Sequence, residues 1–540
     1  MTTDQPTPEP TTAPPKPRLR ARLHAFFSRR DVGGVLFLLT TIAAGIHRAW
    51  IIFYALPPKS VVWSDMAGYV ERAARLANPM VKLNAFDAFY PPGTHVLMAP
   101  FFMFTKDRPS ALNACQILWF VLAVSTIVIV GLLAKRLFKH PLAPFLGATL
   151  VWTHWCLAAL TGFFSSETPF TFFMCLTLLV GLWGREIAPE RRWARFGVFA
   201  LAGLLGGMTT SIRPQFVIQT ALLGLPLIGF GALWGHLRAL FRRKDAVRPK
   251  ESWFYWREAI ALAVMFLLPC VATMKLNSAA MGKPSGLSNN GGLVFYQGHC
   301  DVVHVHMDGM GFAAPVRIQR VLLEGGNAEK KVVHKRRGWD NEYFIALGMR
   351  CIKQDGWKHL RRIYTNVADL FAPTEPWPVN QTKFRGVSTA SNTIFSWALL
   401  VILPVAAWIG RRRWPERWLI VQAACILPVG IFFVGDPRYR IPYDVFGFLM
   451  VTGTLLAIFK MRGDERLDVK PAEAPQPAAE PVPDEKPADE VIAAVSPAEP
   501  EAPVVEEEPA KAVAEEIKES SEPAATPVEA PAEASETRAD

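Results

Sequence analysis

Two carboxylates and three arginines in this 540-residue chain stand beside long apolar segments, where a charge is costly unless it has a use. Asp65 follows the first apolar segment and Glu167 precedes the fourth. Arg213 lies between the fifth and sixth segments, and Arg438 and Arg440 lie between the last two. Guanidinium groups match phosphate geometry and stay charged in a low dielectric, and a carboxylate beside them could accept a proton from a hydroxyl. The combination suits chemistry on a lipid phosphate.

Four more side chains are candidates for the walls of the same site. Tyr69 follows the first carboxylate by four residues, Tyr439 separates the last two arginines, and Arg48 lies in the outer part of the first apolar segment. Tyr90 is followed by Pro-Pro-Gly and then by the apolar stretch 94–104, which is too short to cross a bilayer. This stretch predicts an interfacial or re-entrant helix.

Each candidate also has a purely structural interpretation that the sequence leaves open. Asp65 could cap an interfacial helix, and Glu167 could favour the dipole of the helix that it begins. Arg48 and Arg213 could snorkel to the membrane surface. The last two arginines could be interfacial anchors, although together they would violate the positive-inside bias.

The composition places these residues in a membrane protein. The chain is 51% hydrophobic and only 19% charged, with a mean hydropathy of +0.19, whereas soluble domains carry about 25% charged residues. Residues 463–540 have a net charge of −16 and the rest has +27. The basic residues sit between apolar runs, which is a topology signal and not a nucleic-acid surface. A collagen, a coiled coil, a secreted disulfide scaffold and an ordinary soluble enzyme are excluded.

Ten transmembrane helices are predicted from runs of about 20 apolar residues. They cover about 32–56, 112–134, 142–161, 168–184, 196–212, 216–236, 257–274, 393–410, 418–434 and 442–460. Six Lys/Arg clusters fall on one side if these spans alternate, so both termini are predicted to be cytoplasmic. The opposite side then receives the first outer loop, 57–111, and a longer segment, 275–392.

The predicted fold class is an all-α polytopic membrane protein with a small α+β outer domain and disordered termini. Residues 1–30 form a disordered basic N-terminus, and 31–274 form a transmembrane catalytic module that includes the first outer loop. Residues 275–392 form the outer domain, with β-type residues at 293–296 after an Asn-Gly turn. Residues 393–462 supply the last helices, and the Pro/Ala/Glu-rich segment 463–540 is a disordered acidic tail.

Cys300 and Cys351 are the cysteines of the outer domain, and an oxidising compartment would permit a disulfide between them. The other five cysteines lie in or beside spans and are interpreted as packing residues. His299, Cys300, His304 and His306 match no closed zinc spacing, so no metal site is assigned; a divalent metal stays open but unsupported. No Walker sequence is present, and no cofactor is required by the sequence.

Several short motifs resemble the polyprenyl-phosphate-dependent type C glycosyltransferases, notably bacterial members similar to protein O-mannosyltransferases and aminoarabinose lipid A transferases. The resemblance covers about residues 30–460. The motifs agree with the family in order and in predicted membrane side. They are Asp65 with Tyr69 in the first outer loop, Tyr90-Pro91-Pro92, Ser166-Glu167, Thr210-Ser211-Ile212-Arg213-Pro214, Asn290-Gly291-Gly292 and Pro437-Arg438-Tyr439-Arg440-Ile441-Pro442.

The resemblance implies a bacterial inner-membrane enzyme that moves one sugar, with inversion, from a polyprenyl phosphate to a hydroxyl of an envelope glycolipid, polysaccharide or protein. Asp65 would activate the acceptor. Arg438 and Arg440, with Arg213 as a further candidate, would bind the donor phosphate. Tyr90 and Glu167 would shape the sugar or acceptor site. The implied partners are the lipid-linked donor, the acceptor and membrane lipids, without nucleic acid.

Two departures from the family pattern bear on this assignment. Many relatives have Asp-Glu where this chain has Asp65-Met66, and the lipid A transferases have Lys where this chain has Tyr90. Two other functions remain as alternatives: a transporter or flippase of lipid-linked sugars, and a ligase that moves a whole lipid-linked glycan. Transporters tend to show inverted repeats and charges at the membrane midplane, and neither is evident in this chain.

Overall fold

The computed structural model of the chain describes residues 29–105, 107–228, 255–300, 303–306, 331–334, 336–379, 382–410 and 413–462. The predictions for residues 1–28 and 463–540 therefore fall outside the described residues. Within the described ranges the chain is an all-α polytopic membrane protein with one pair of four-residue strands.

Eight helical segments of the described chain are long and apolar enough to cross a membrane. They are Arg30–Ser60, Arg108–Phe138, Glu167–Glu186, Arg192–Ile212, Trp256–Met281, Arg385–Trp408, Trp414–Phe432 and Pro437–Ile458. Each coincides with a predicted span. The third predicted span is instead two shorter helices that meet at His154, and the sixth is described only as far as residue 228.

The α-helices up to residue 228 are α1 (Arg30–Trp50), α2 (Ser64–Ala77), α3 (Gly93–Phe104), α4 (Arg108–Phe138), α5 (Ala143–Thr153), α6 (Trp155–Leu160), α7 (Glu167–Glu186), α8 (Arg192–Ile212) and α9 (Phe216–Gly224). Local chemistry sets the ends of the longest helix. Asp107 accepts a hydrogen bond from the Ser110 backbone N–H at 2.8 Å before α4 begins, and Lys139 ends it in a left-handed conformation (φ 50°).

From residue 255 onward the α-helices are α10 (Trp256–Met281), α11 (Gly291–His299), α12 (Asn341–Asp355), α13 (His359–Leu370), α14 (Arg385–Gly410), α15 (Trp414–Ala424), α16 (Leu427–Phe432), α17 (Pro437–Arg440) and α18 (Asp444–Ile458). The strands β1 (Val303–His306) and β2 (Lys331–His334) pair in parallel, with Val303 opposite Lys331. Most of the buried apolar side chains form one cluster among the membrane helices.

The predicted strand at 293–296 is wrong, because these residues lie in α11. Leu293, Tyr296 and Cys300 recur at helical spacing and pack with Phe344 of α12 in a small buried cluster. The Tyr296 and Phe344 ring centroids are 5.7 Å apart. Burial against α12 therefore overrides the β-propensity of this stretch. Cys300 and Cys351 form a disulfide that joins α11 to α12.

Two glycines let α8 and α10 pack backbone to backbone inside the membrane. Gly203 and Gly207 lie four residues apart on α8, a spacing that brings two helices close. A Cβ atom at Gly203 would lie 2.9 Å from the Leu262 carbonyl carbon, and one at Gly207 would lie 2.9 Å from Pro269 Cδ. The contact fixes the helix whose C-terminal end carries Arg213.

We expect Gly203→Ala to destabilise the protein by about 1–3 kcal/mol, because the added methyl group would press against backbone that cannot move aside. The melting temperature of the purified protein in detergent measures the effect. Gly197→Ala is the matched control, since a Cβ on this α8 glycine meets nothing within 4 Å. Equal melting temperatures for the two variants would contradict the packing argument.

Candidate functional site

Five separate segments bring their polar side chains together at one end of the membrane helices. Asp65 lies in the first turn of α2, and Tyr90 lies in the loop before α3. Glu167 begins α7, Arg213 follows the last residue of α8, and Arg438 lies in α17. Three of these residues, Glu167, Arg213 and Arg438, lie at the ends of membrane-crossing segments. The cluster therefore lies near a membrane surface.

Asp65 is held by two donors. The Tyr90 hydroxyl donates to Asp65 Oδ1 at 2.5 Å, and Arg438 Nη1 donates to Asp65 Oδ2 at 3.0 Å. The residue before it, Ser64, has a left-handed backbone (φ 49°), which is uncommon outside glycine and is often found at functional sites. The Asp65 side chain is 26% exposed, so a ligand can reach its carboxylate.

Glu167 is fully buried and binds both arginines. Arg438 donates to it through Nε, and through Nη2 to Oε2 at 3.3 Å. Arg213 donates through Nη2 to the same carboxylate and through Nε to Ser166 Oγ at 3.0 Å. Arg213 Nη1 is buried and has no hydrogen-bond partner among the residues that the structure describes. Ser166 and Glu167 bind the other two nitrogens of this guanidinium group.

The cluster holds two carboxylates and two guanidinium groups, and Arg438 is the link between them. It is bound to Asp65 on one side and to Glu167 on the other. Charges at this depth are stable only when they are paired and hydrogen-bonded. Because Glu167 is inaccessible and Asp65 is not, Asp65 is the carboxylate that can meet a substrate, and Glu167 is suited to positioning the arginines.

Aromatic rings surround the charged groups. The rings of Tyr69 and Tyr90 are 4.9 Å apart. The Arg213 guanidinium lies 5.5 Å from the Tyr439 ring, and the Arg438 guanidinium lies 4.6 Å from the Trp377 ring, both within the range of cation–π attraction. Burial, together with the negative charge of Asp65, raises the pKa of Tyr90 well above its usual value, so its hydroxyl keeps the proton that it donates.

Arg440 does not join this cluster, in contrast to its predicted place beside Arg438. Its Nε lies 3.0 Å from Asp444 Oδ1, its Nη1 donates to Ser396 Oγ at 3.0 Å, and its Nη2 donates to the Asn392 side chain. Arg440 and Asp444 are 2% and 3% exposed. Since residues two apart on a helix point to different faces, Arg438 and Arg440 do not face the same cluster. The hydrogen bonds and the ion pair of Arg440 hold α17 and α18 against α14.

We expect Arg440→Met to lower stability by about 3–5 kcal/mol, because it leaves the buried Asp444 carboxylate without its cation. The melting temperature and the folded fraction after gel filtration measure the loss. Adding Asp444→Leu is expected to restore most of it, since a buried ion pair can often be replaced by apolar side chains. A stable Arg440→Met protein that had lost activity would indicate that Arg440 binds the ligand and is not a structural residue.

Arg48 also lies apart from the four charged residues. It is 1% exposed, its Nη1 lies 3.0 Å from His47 Nδ1, and its Nη2 faces the Val151 and Trp152 carbonyls at 3.5 Å. These carbonyls are at the C-terminal end of α5, where the helix breaks before His154. A cation is favourable at such an end. Arg48 lines a cavity of about 20 Å³ beside Thr168 and Thr171 of α7, which is large enough for a water molecule.

Sequence reasoning missed two side chains at the site. Trp377 covers Arg438. The one feature of the sequence that could have indicated it is its place between two prolines in the loop before α14. Arg72 supports Tyr90 from behind: its guanidinium lies 4.7 Å from the Tyr90 ring and 3.8 Å from the Phe86 ring, and its Nε donates to the Phe86 carbonyl at 2.7 Å. The feature of the sequence that could have indicated Arg72 is its position on α2, one turn after Gly68.

No protein-family model and no curated protein matches the sequence. Among solved structures, the chain is similar to the archaeal oligosaccharyltransferase AglB from Archaeoglobus fulgidus in complex with an inhibitory peptide and a dolichol-phosphate, at 14% identity and a TM-score of 0.40. It is also similar to the apo form of the Archaeoglobus fulgidus oligosaccharyltransferase, at 12% identity and a TM-score of 0.41. Each match covers 78% of this chain and 50% of the other, so the chain spans half the length of these enzymes.

Proposed function

We propose that this chain is a membrane glycosyltransferase that moves a single sugar from a polyprenyl phosphate to a hydroxyl group of an envelope acceptor. One observation carries the proposal: Arg438 joins a reachable carboxylate, Asp65, to a buried carboxylate, Glu167, that also binds Arg213. A base and two phosphate-binding cations thus lie within reach of one ligand. The site lies at the ends of membrane helices, where a lipid phosphate would be presented.

The reaction balances with these groups alone. The acceptor O–H gives its proton to Asp65 as its oxygen bonds to the anomeric carbon. The bond from that carbon to the phosphate oxygen breaks, and its electron pair stays on the polyprenyl phosphate. Attack from the face opposite the leaving phosphate inverts the anomeric configuration. No cofactor is needed, because the transfer potential of the sugar is stored in the donor.

Arg213 and Arg438 are the groups that would stabilise the charge on the departing phosphate. Arg213 has a buried N–H without a partner in the described chain, and Arg438 can exchange Asp65 for a phosphate oxygen. Preorganised cations in a water-poor site are worth far more than in bulk water. Tyr69, Tyr90 and Tyr439 would line the sugar or acceptor site.

The side and the partners of the site are part of the same proposal. The positive-inside pattern of the sequence puts both termini in the cytoplasm, so the cluster would face the periplasm of a bacterial inner membrane. The acceptor would be an envelope glycolipid, polysaccharide or protein, and the donor would reach the site laterally from the lipid.

The test uses the purified full-length protein in detergent solution. The donors are polyprenyl-phosphate-linked hexoses and pentoses and, in a separate reaction, lipid-linked oligosaccharides. Envelope extract from a strain that lacks the gene supplies the acceptor, and mass spectrometry reads the product. We expect the acceptor to gain the mass of one sugar. Detergent solution contains no bilayer to cross, so a flippase would give no product. A gain only with oligosaccharide donors would identify a ligase. Either result would overturn the proposal.

A further inference from the structure

Helix α13 buries three polar side chains together with Leu370 and exposes apolar side chains on the opposite face. Its buried residues include His359, Asn366 and Asp369, each at most 4% exposed. An ordinary surface helix of a folded domain shows the reverse arrangement. Both faces of α13 therefore need a partner, one polar and one apolar.

The polar partner is the backbone that leads into α17. Asn366 Nδ2 donates to the Gly298 carbonyl at 2.8 Å and to the Phe433 carbonyl at 3.2 Å. A Cβ atom on Gly435 would lie 2.7 Å from the Asn366 carbonyl carbon, so the two backbones are in direct contact. This extended stretch ends at Asp436, which accepts a hydrogen bond from the Arg438 backbone N–H at 2.7 Å.

A histidine pair extends the same contact. His299 Nε2 donates to the Phe432 carbonyl at 3.2 Å, and His299 Nδ1 shares a hydrogen bond of 2.8 Å with His359 Nε2. His359 Nδ1 bonds to Asp355 at 3.0 Å. The polar face of α13 thus binds the Phe433 carbonyl directly, through Asn366, and the Phe432 carbonyl indirectly, through His299 of α11.

The outward face of α13 and its flanks is an apolar stripe. Trp357, Leu360, Tyr364 and Phe371 are 88%, 57%, 73% and 45% exposed, and their spacing puts them on one side of the helix. The exposed cations Lys358 and Arg361 lie beside the stripe. Trp and Tyr with neighbouring Lys and Arg are typical of segments that lie in the membrane–water interface.

The stripe is at the level of the membrane surface. Helix α13 packs against α16, whose last residue, Phe432, ends the membrane-crossing segment Trp414–Phe432 and is 56% exposed. Helix α13 therefore lies at the membrane-surface end of that segment.

We propose that α13 is an interfacial helix whose stripe, Trp357, Leu360, Tyr364 and Phe371, binds the lipid of the leaflet on the side of the catalytic cluster. Lys358 and Arg361 face anionic headgroups. Because the opposite face of α13 binds the Phe433 carbonyl directly and the Phe432 carbonyl through His299, lipid contact fixes the height of Arg438 relative to the phosphates of the leaflet.

The experiment places an environment-sensitive fluorophore on single cysteines in the full-length protein in nanodiscs that contain anionic phospholipid. The positions are Leu360→Cys and Tyr364→Cys on the stripe and Glu342→Cys as control, since the Glu342 side chain is 90% exposed in the same outer segment. Labelling without reductant leaves the Cys300–Cys351 disulfide intact, and the labelled wild-type protein, whose free cysteines are buried, gives the blank.

We expect the labels at 360 and 364 to emit at shorter wavelength and to lose most of their emission to spin-labelled phospholipid, whereas the label at 342 is quenched by aqueous iodide. Equal iodide quenching at all three positions would overturn the proposal. Shielding of 360 and 364 from both quenchers would also overturn it, because a protein surface would then cover the stripe. The fluorescence measurement does not depend on turnover, so the proposal for α13 is tested separately from the proposed transferase activity.

Discussion

Replacing Asp65 by Asn is expected to lower sugar transfer by about 10²–10⁴-fold, the range that a positioned general base contributes. Asparagine keeps the shape of the side chain and can still accept from the Tyr90 hydroxyl, but it cannot take a proton from the acceptor. It also removes the charge opposite Arg438. The rate of sugar transfer by the purified variant measures the loss, and envelope mass spectrometry of a chromosomal variant checks it in cells.

The matched control for this change is Glu71→Gln. Glu71 lies on the same helix, is exposed, and loses the same charge by the same chemical change. It should transfer sugar at the wild-type rate. If Asp65→Asn kept more than about a tenth of the wild-type rate, a loss smaller than the least that a general base supplies, Asp65 would be a structural residue. Equal melting temperatures for the two variants would show that the loss is not one of folding.

The sequence was sufficient for the membrane architecture because length and polarity decide it. Eight of the predicted spans are helices of the described chain. Of the other two, the sixth runs beyond the described residues, and the third differs for a local reason. At His154 the side chain accepts a hydrogen bond from the Leu157 backbone N–H at 3.2 Å and starts a new helix, which hydropathy cannot register. The helix at 293–296 could not be predicted from the sequence without knowing that this segment packs against Phe344.

The sequence predicted which ends of the spans meet, but not which side chains make up the cluster. Sequence order placed Asp65, Glu167, Arg213 and Arg438 at the same ends of their spans, and these four are in contact. Arg440 could not be separated from Arg438 without the local geometry. In a strand, residues two apart share a face, whereas in the helical turn of α17 they do not. The partner of Arg440 is Asp444, one turn further on.

The charge balance of the cluster has a consequence for substrate binding. In the absence of ligand, Arg213 and Arg438 are matched by Glu167 and Asp65. Under the proposed function a donor phosphate would bring further negative charge. Arg438 would accommodate it, together with Arg213, by exchanging its contact with Asp65. Donor binding would then free one oxygen of Asp65 for the acceptor hydroxyl.

The second large effect is expected at Arg438. Arg438→Ala should lower transfer by about 10²–10³-fold, as for the loss of one preorganised electrostatic donor, since Arg213 remains to hold Glu167. Arg438→Lys should recover part of the rate and lose donor affinity, because an ammonium group keeps the charge but lacks the planar fork with which Arg438 bonds to Asp65 and Glu167. Initial rates at varied donor concentration separate kcat from KM.

Arg385→Ala, which breaks an exposed pair with Glu375, is the control for a general change of charge. If Arg438→Lys restored nothing while folding normally, or if Arg438→Ala transferred sugar at the control rate, phosphate binding by Arg438 would be wrong. Since Arg438 touches both carboxylates, the double variant with Asp65→Asn should lose less than the product of the two single losses.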